Sequence, residues 1–222
     1  MKLDFSSVWQ YWPFLYHGAL LTLKITLICT VLGFILGTLL SLLKLTKCKP
    51  LVWIANFYTS IFRGTPLLVQ LCIIHFGIPQ LIGITFTTTQ SGILTFSLNS
   101  AAYVSEILRG GIVGVDKGQY EASMSLGVGY KDMMKDIIFP QAIRSILPGL
   151  VNEGISLLKE SSILSYIGAV ELLRAADQIT VLTFRFFEPY LVIALIYYVM
   201  VMILTLFANR LERWLNRSDR VS

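Results

Sequence analysis

Five long apolar runs, separated by short segments that carry most of the Lys and Arg, constrain this chain more than any other feature. They lie near residues 18–43, 64–83, 91–111, 145–168 and 189–209. The hydrocarbon core of a bilayer is crossed by roughly 20 helical residues rising about 1.5 Å each. Each run is long enough to cross. Of the 222 residues, 55% are hydrophobic and only 14% charged, whereas a soluble domain carries about a quarter charged residues. The expected fold is therefore an all-α integral membrane protein, a single transmembrane domain over residues 1–222 with five spans. Two stretches are less plain. Residues 52–62 (VWIANFYTSIF) precede Arg63-Gly64-Thr65-Pro66, and form either an interfacial lead-in helix or half of one long kinked span. Residues 169–180 space their apolar positions as a short amphipathic helix at the outer surface.

The basic residues orient the spans. An inside C-terminus gives the cytoplasm Lys44, Lys47, Lys49, Arg109, Lys117, Lys131, Lys135, Arg144, Arg210, Arg213, Arg217 and Arg220. The outside receives Lys2, Arg174 and Arg185, and Lys24, Arg63 and Lys159 fall in or near spans. Twelve against three predicts N-terminus out, C-terminus in. The net charge of +5 thus reflects topology and not a nucleic-acid-binding face. No cleavable signal peptide is expected: only Lys2 precedes the first span, and no A-x-A site follows it. Cys29, Cys48 and Cys72 have no metal-ligand spacing and read as apolar fillers. His17 and His75 are single and far apart, so no metal site is expected.

Residues 119–140, QYEASMSLGVGYKDMMKDIIFP, fall on the cytoplasmic side of this arrangement. Glu121, Ala122 and Ser123 are followed after three residues by Gly127, and after nine more by Ile137 and Pro140. This spacing resembles the EAA loop of membrane subunits of ABC importers, with Ser123 replacing a second Ala and Phe139 a Leu. Read without that resemblance, the segment is a solvated loop with one amphipathic helix. Small Ala122, Ser123 and Ser125 let such a helix approach another protein closely, and Glu121 offers one charge to orient it. Gly127 or Gly129 suits its end, and Pro140 and Pro148 are expected to break the return into the next span.

Further stretches are similar to permeases of ABC importers for polar amino acids, of the histidine, arginine and glutamine type. They are FRGTPLLVQL (62–71), SAAYVSEILRGGI (100–112), VDKGQYEASMSLG (115–127), PQAIRSILPGLVNE (140–153) and LLKESS (157–162). The resemblance implies a MetI-like five-helix core in the bacterial cytoplasmic (inner) membrane, paired as a homodimer or close heterodimer. It implies an extracytoplasmic amino-acid-binding protein that delivers substrate, and separate ABC ATPase subunits that drive alternating access. ATP and Mg then act in those partners, and this chain binds no cofactor. Indeed no G-x-x-x-x-G-K-[ST] stretch, nucleophile elbow, H-E-x-x-H or Cys/His cluster occurs, so the chain is expected not to be an enzyme. An ion-gradient-driven transporter is the rival, but internal repeats of the kind common in that class are not visible. A membrane scaffold that only anchors an ATPase is a further alternative.

The fourth span carries the candidate cargo residues. One charge at a helix centre costs roughly 2.5–3.5 kcal/mol on insertion, while Leu or Ile returns only about 0.3–0.6. Glu153, Lys159 and Glu160 must therefore face protein, water or one another. Seven residues apart, Glu153 and Glu160 project within about 20° of each other, with Ser156 about 60° away. Asn152 and Lys159 form a second line roughly 100° round. An amino acid needs a cation for its carboxylate and anions for its positive groups. Lys159 is the candidate for the first, Glu153 and Glu160 for the second, and the two acids favour an arginine-like cargo over glutamine or another polar one. The alternative is a set of structural ion pairs at a subunit interface.

Other intramembrane groups read as structural. Lys24 can snorkel. Arg63 is placed to pair with Glu106 or to meet lipid head groups. Asn99 and Ser100 suit hydrogen bonds across helices, and Gly33 with Gly37 permits close helix contact. Aromatic residues at 9–16 and Phe184, Phe186, Phe187 and Tyr190 fit an interfacial belt.

Overall fold

A computed structural model describes residues 3–215, so Lys2, Arg217 and Arg220 lie outside the described residues. The described chain is helical throughout. A short α1 (Ser6–Trp9) precedes α2 (Trp12–Leu45), whose 34 residues begin with Pro13 in the first turn. Then come α3 (Lys49–Gly64), α4 (Leu67–Cys72), a π-helical turn (Ile73–Gly77) and α5 (Ile78–Ile82), which stops at Gly83. Helix α6 (Thr88–Val113) starts from a capping box between Thr87 and Gln90. After it follow α7 (Lys117–Ser125), α8 (Tyr130–Asp132), a π-helical turn (Met133–Ile138) and α9 (Phe139–Glu160). A 3-10 turn (Ser161–Ile167), α10 (Leu172–Thr183) and α11 (Phe187–Leu215) complete the order.

Helical segments cover the five apolar runs, with differences in length and direction. Among the described residues, only α2 and residues 187–211 of α11 are each apolar and long enough to cross a bilayer unaided. The run expected at 64–83 is not one rod with its lead-in: α3 turns by 105° into residues 67–82. Pro66 has no N–H and precedes α4 in an extended conformation, so the helix cannot continue through it. The run expected at 145–168 begins earlier, at Phe139, and its α-helical part ends at Glu160. Pro148 lies inside α9 and does not end it, contrary to the expected break.

Small residues set the closest seam. A Cβ added to Gly33 would lie 2.7 Å from Ser100 Oγ, and one on Gly37 would lie 2.7 Å from Val104 Cβ. The two glycines therefore bring α2 against α6, as membrane helices do where apolar volume gives no preference over lipid. At the end of the bundle remote from residues 112–144, Glu171 is wholly buried and caps α10. Its carboxylate accepts from Leu173 N (2.9 Å), Arg174 N (2.8 Å) and Tyr197 Oη (3.0 Å). Gly18 lets α2 approach this corner, because a Cβ there would meet Leu172 Cα at 2.9 Å. The amphipathic helix expected over 169–180 is thus α10, started by Glu171. At the same end Arg185 binds Glu188 (2.7 Å) and lies 3.7 Å from Asp4, which ties the N-terminal segment to α11.

Candidate functional site

The segment between α6 and α9 is a helix-turn built by its own sequence. Asp116 caps α7 by accepting from Gly118 N at 2.6 Å. Gly127 ends it at φ 73°, a left-handed conformation in which a Cβ is strained. There Val128 N donates to Ser123 O (3.0 Å) and Gly127 N to Met124 O (3.0 Å), the paired bonds of a Schellman end. Of the two candidate terminators, Gly127 takes that role and Gly129 instead precedes α8. Val115, Met133, Ile138, Ala142 and Ile146 are buried beneath the segment, with Ile107, Ile112 and Tyr120 against them. Burial, with the neighbouring Tyr130, pushes the Tyr120 phenol above its ordinary range. Gln141 Nε2 reaches Gln119 Oε1 at 3.4 Å and joins α9 to α7.

This packing decides which coupling candidates reach solvent. Glu121, Ala122, Ser125 and Gly127 are exposed. Ser123 is only 3% exposed and its hydroxyl donates to Gln119 O, so it packs inward and offers no surface. The exposed face gains Met124 (63%), Leu126 (82%) and Tyr130 (71%), which spacing to the motif did not single out. Three large apolar side chains are thus exposed together on one short segment.

On α9, Asn152 and Lys159 are exposed while Glu153, Ser156 and Glu160 are half-buried. The Glu153 carboxylate stands beside the Ser100 hydroxyl of α6. The Ser100 oxygen is buried, and the Glu153 carboxylate is the polar group that faces it across the helices. Lys159 attracts the adjacent Glu160. A groove of about 440 Å³ runs between α2, α9 and α11, lined by Leu27, Thr30, Val151, Gly154 and Phe207. None of the five polar candidates of α9 lines it.

Two polar nodes on α6 complete the picture. Asn99 does bond across helices: its Nδ2 donates to Phe62 O (3.0 Å) and to Gln70 Oε1 (3.0 Å). Gln70 Nε2 in turn donates to Phe62 O, Thr65 O and Thr65 Oγ1 at 2.9–3.1 Å. These amides supply donors to carbonyls that the break before Pro66 leaves without helical partners. The expected Arg63–Glu106 pair is not formed. Glu106 binds Lys44 and Arg109, and the Arg63 guanidinium lies 5.5 Å over the Tyr103 ring. Lys24 is exposed. No group of three His, Cys, Asp or Glu suited to a metal occurs among the described residues.

Residues 29–217 match the model of a family described as binding-protein-dependent transport system inner membrane component. The arginine transport system permease protein ArtQ of Bacillus subtilis is 48% identical over 219 residues, covering 99% of this chain and 100% of that one. The putative glutamine transport system permease protein GlnP of Rickettsia felis is 45% identical, covering 94% and 97%. The crystal structure of an amino acid ABC transporter with histidines superposes with a TM-score of 0.91 at 43% identity, covering 96% of this chain and 99% of that one.

Proposed function

The chain belongs to the family of binding-protein-dependent transport system inner membrane components, and from that premise we propose that it is the permease subunit of an ATP-driven importer for polar amino acids, arginine-like ones favoured. Its fold is the all-helical MetI-like permease fold, and its place is the bacterial inner membrane. In this reading α2, residues 67–82, α6, α9 and α11 are the five spans, with the N-terminus outside and the C-terminus in the cytoplasm. The helix-turn of α7 and Gly127 then docks on an ABC ATPase, which binds ATP and Mg and hydrolyses the nucleotide. Two permease copies, identical or closely related, enclose the pathway, and an extracytoplasmic binding protein delivers the cargo.

The observation that carries this reading is the polar face of α9. Asn152, Glu153, Ser156, Lys159 and Glu160 offer one cation and two acids on the helix that the coupling segment leads into. Lys159 takes the substrate carboxylate, and Glu153 with Glu160 takes the amine or a cationic side chain. Glutamine or another polar amino acid is the alternative cargo, since any zwitterion has an amine for an acid to hold. ATP-driven closure of the ATPases draws the coupling segments together and opens the spans outward, and hydrolysis resets them. The test is ATPase activity of the purified complex with its binding protein and each candidate amino acid in turn. Stimulation by arginine above glutamine supports the reading, and equal activity with and without any amino acid sinks it. Uptake that survives deletion of the ATPase subunits would instead favour a gradient-driven transporter.

A further inference from the structure

Lys44 is the most deeply buried cation among the described residues, its side chain 1% exposed at the last turn of α2. Its ammonium has three donors, and three acceptors surround it: Thr59 Oγ1 of α3 (3.0 Å), Ser105 Oγ of α6 (3.1 Å) and Glu106 Oε1 of α6 (2.5 Å). The two hydroxyls are oriented for this. Thr59 donates its own proton back to Asn56 O or Ala55 O, and Ser105 donates to Ala102 O, so each turns a lone pair to the lysine. The second oxygen of Glu106 accepts from Arg109 Nη2 (2.8 Å) and Nε (3.1 Å).

What this node holds is α3. That helix buries only Ala55 and Thr59, both small, so little interlocking apolar volume fixes it along α6. Directional polar contacts do so instead: the Lys44 node, Tyr58 Oη to Leu98 O (2.7 Å), Asn99 Nδ2 to Phe62 O (3.0 Å), and Arg63 over Tyr103. The node sits between the turn that follows α3 and the segment that follows α6. In one direction α3 runs from Thr59 into the 105° turn at Gly64–Pro66. In the other, α6 runs from Arg109 into the segment bearing α7, whose Tyr120 and Val115 pack with Ile107 and Leu108. A buried ion pair adds little stability relative to apolar residues of the same volume, and its attested use is to fix register.

We propose that Lys44 is a positioning residue that locks the register of α3 on α6, so that displacement of the coupling segment reaches the turn at Phe62–Pro66. This rests on the importer reading above. The experiment uses the complete complex with its ATPase and binding-protein partners in vesicles. Two variants are compared, Lys44→Met and Lys44→Met/Glu106→Gln, the second leaving no carboxylate without its lysine. Spin labels on exposed positions of α3 and α6 report the distance between the helices, in a background lacking the native cysteines. Expected are near-normal basal ATPase, a fall of about fivefold or more in amino acid moved per ATP, and a broadened α3–α6 distance in both variants. Restoration of coupling by Lys44→Arg would support a donor role specifically. An unchanged distance distribution with normal transport per ATP overturns the proposal, and so does failure of both variants to assemble, because the node would then serve only folding. Failure of the importer reading shows separately, as wild-type complex without ATP-dependent uptake, and the distance measurement still decides the register.

Discussion

Gly33 packs against Ser100 so closely that a methyl group on Gly33 would lie 2.7 Å from the serine oxygen. Gly37 repeats the approach one turn later, where a Cβ would also stand 3.0 Å from Ala101 O. Backbone cannot move aside as a flexible side chain can. Gly37→Val is therefore expected to cost about 1–3 kcal/mol, the usual range for overpacking. Thermal melting of the purified protein measures it. Gly64→Ala is the control, since nothing lies within 4 Å of a Cβ there. Equal melting of Gly37→Val and Gly64→Ala would contradict the α2–α6 seam.

Gly127→Ala tests the end of the coupling helix. At φ 73° a Cβ meets no neighbouring atom, so any cost comes from the backbone conformation itself. That cost is about 1–2 kcal/mol for an L-residue. The variant is expected to remain folded in the membrane, because α7 is peripheral to the buried helices, and to lose coupled ATPase activity. Gly129→Ala should keep both the fold and the coupled activity, since Gly129 is extended. Proteolysis within 112–130 that is no faster in Gly127→Ala than in the parent chain would count against the strain.

How much of this was legible in the sequence depends on what each signal physically measures. Hydropathy reports burial in something apolar, so the runs at 18–43 and 189–209 fall inside α2 and α11, which extend beyond them by up to six residues. It does not report direction, and the 105° turn before α4 left only the Arg63–Pro66 signature behind. Lys44 lies one residue beyond the expected first span and so reads as a loop cation, yet α2 continues to Leu45 and buries it. The better signal was Glu106 with Arg109, three residues apart on a helix, because a carboxylate has a second oxygen with which to accept from a further cation, here Lys44. Motif spacing located the α7 turn but not its faces. It grouped Ser123 with Ala122 and Ser125 as small residues open to a partner, whereas Ser123 is buried with its hydroxyl on Gln119 O.

Leu126→Asp tests the exposed face. At 82% exposure Leu126 contributes little to the fold of the free chain, and a surface substitution of this kind usually changes stability by less than about 0.5 kcal/mol. If Leu126, Met124 and Tyr130 enter a cleft on an ATPase, a buried unpaired charge there should weaken association by about tenfold or more. Pull-down of the ATPase by tagged permease, with equal membrane yield of both chains, reads this out. Ser123→Ala, which removes only an inward hydrogen bond, should associate normally. Equal association of Leu126→Asp and parent would move the docking surface elsewhere.

Glu171→Ala should destabilise the opposite end of the bundle. The wholly buried carboxylate satisfies two N–H groups at the start of α10 and accepts from Tyr197, in bonds that are partly buried. Losing an N-cap costs about 1 kcal/mol, and leaving buried donors unmet adds about 1–3. Tyr197→Phe removes only one of the three bonds, and its expected cost is nearer 1 kcal/mol. The order Glu171→Ala worse than Tyr197→Phe, read from melting temperatures, is the specific expectation. The reverse order would mean that the tyrosine ring, not the cap, holds α10.

The cargo assignment stands or falls on Glu153. It is half-buried beside Ser100, and no basic side chain pairs with it among the described residues. A guanidinium or α-amine arriving in the pathway would supply the missing opposite charge. Hydrogen bonds to charged groups contribute about 1.5–3 kcal/mol. Glu153→Gln, which keeps size and one acceptor, should therefore raise the half-saturating arginine concentration by about 10- to 100-fold. If Glu153 holds only the α-amine, glutamine uptake should suffer equally, whereas contact with the cationic side chain spares it. Uptake of both amino acids by the reconstituted importer separates these outcomes. Unchanged uptake and selectivity would remove Glu153 from the site and leave it as a structural partner of α6.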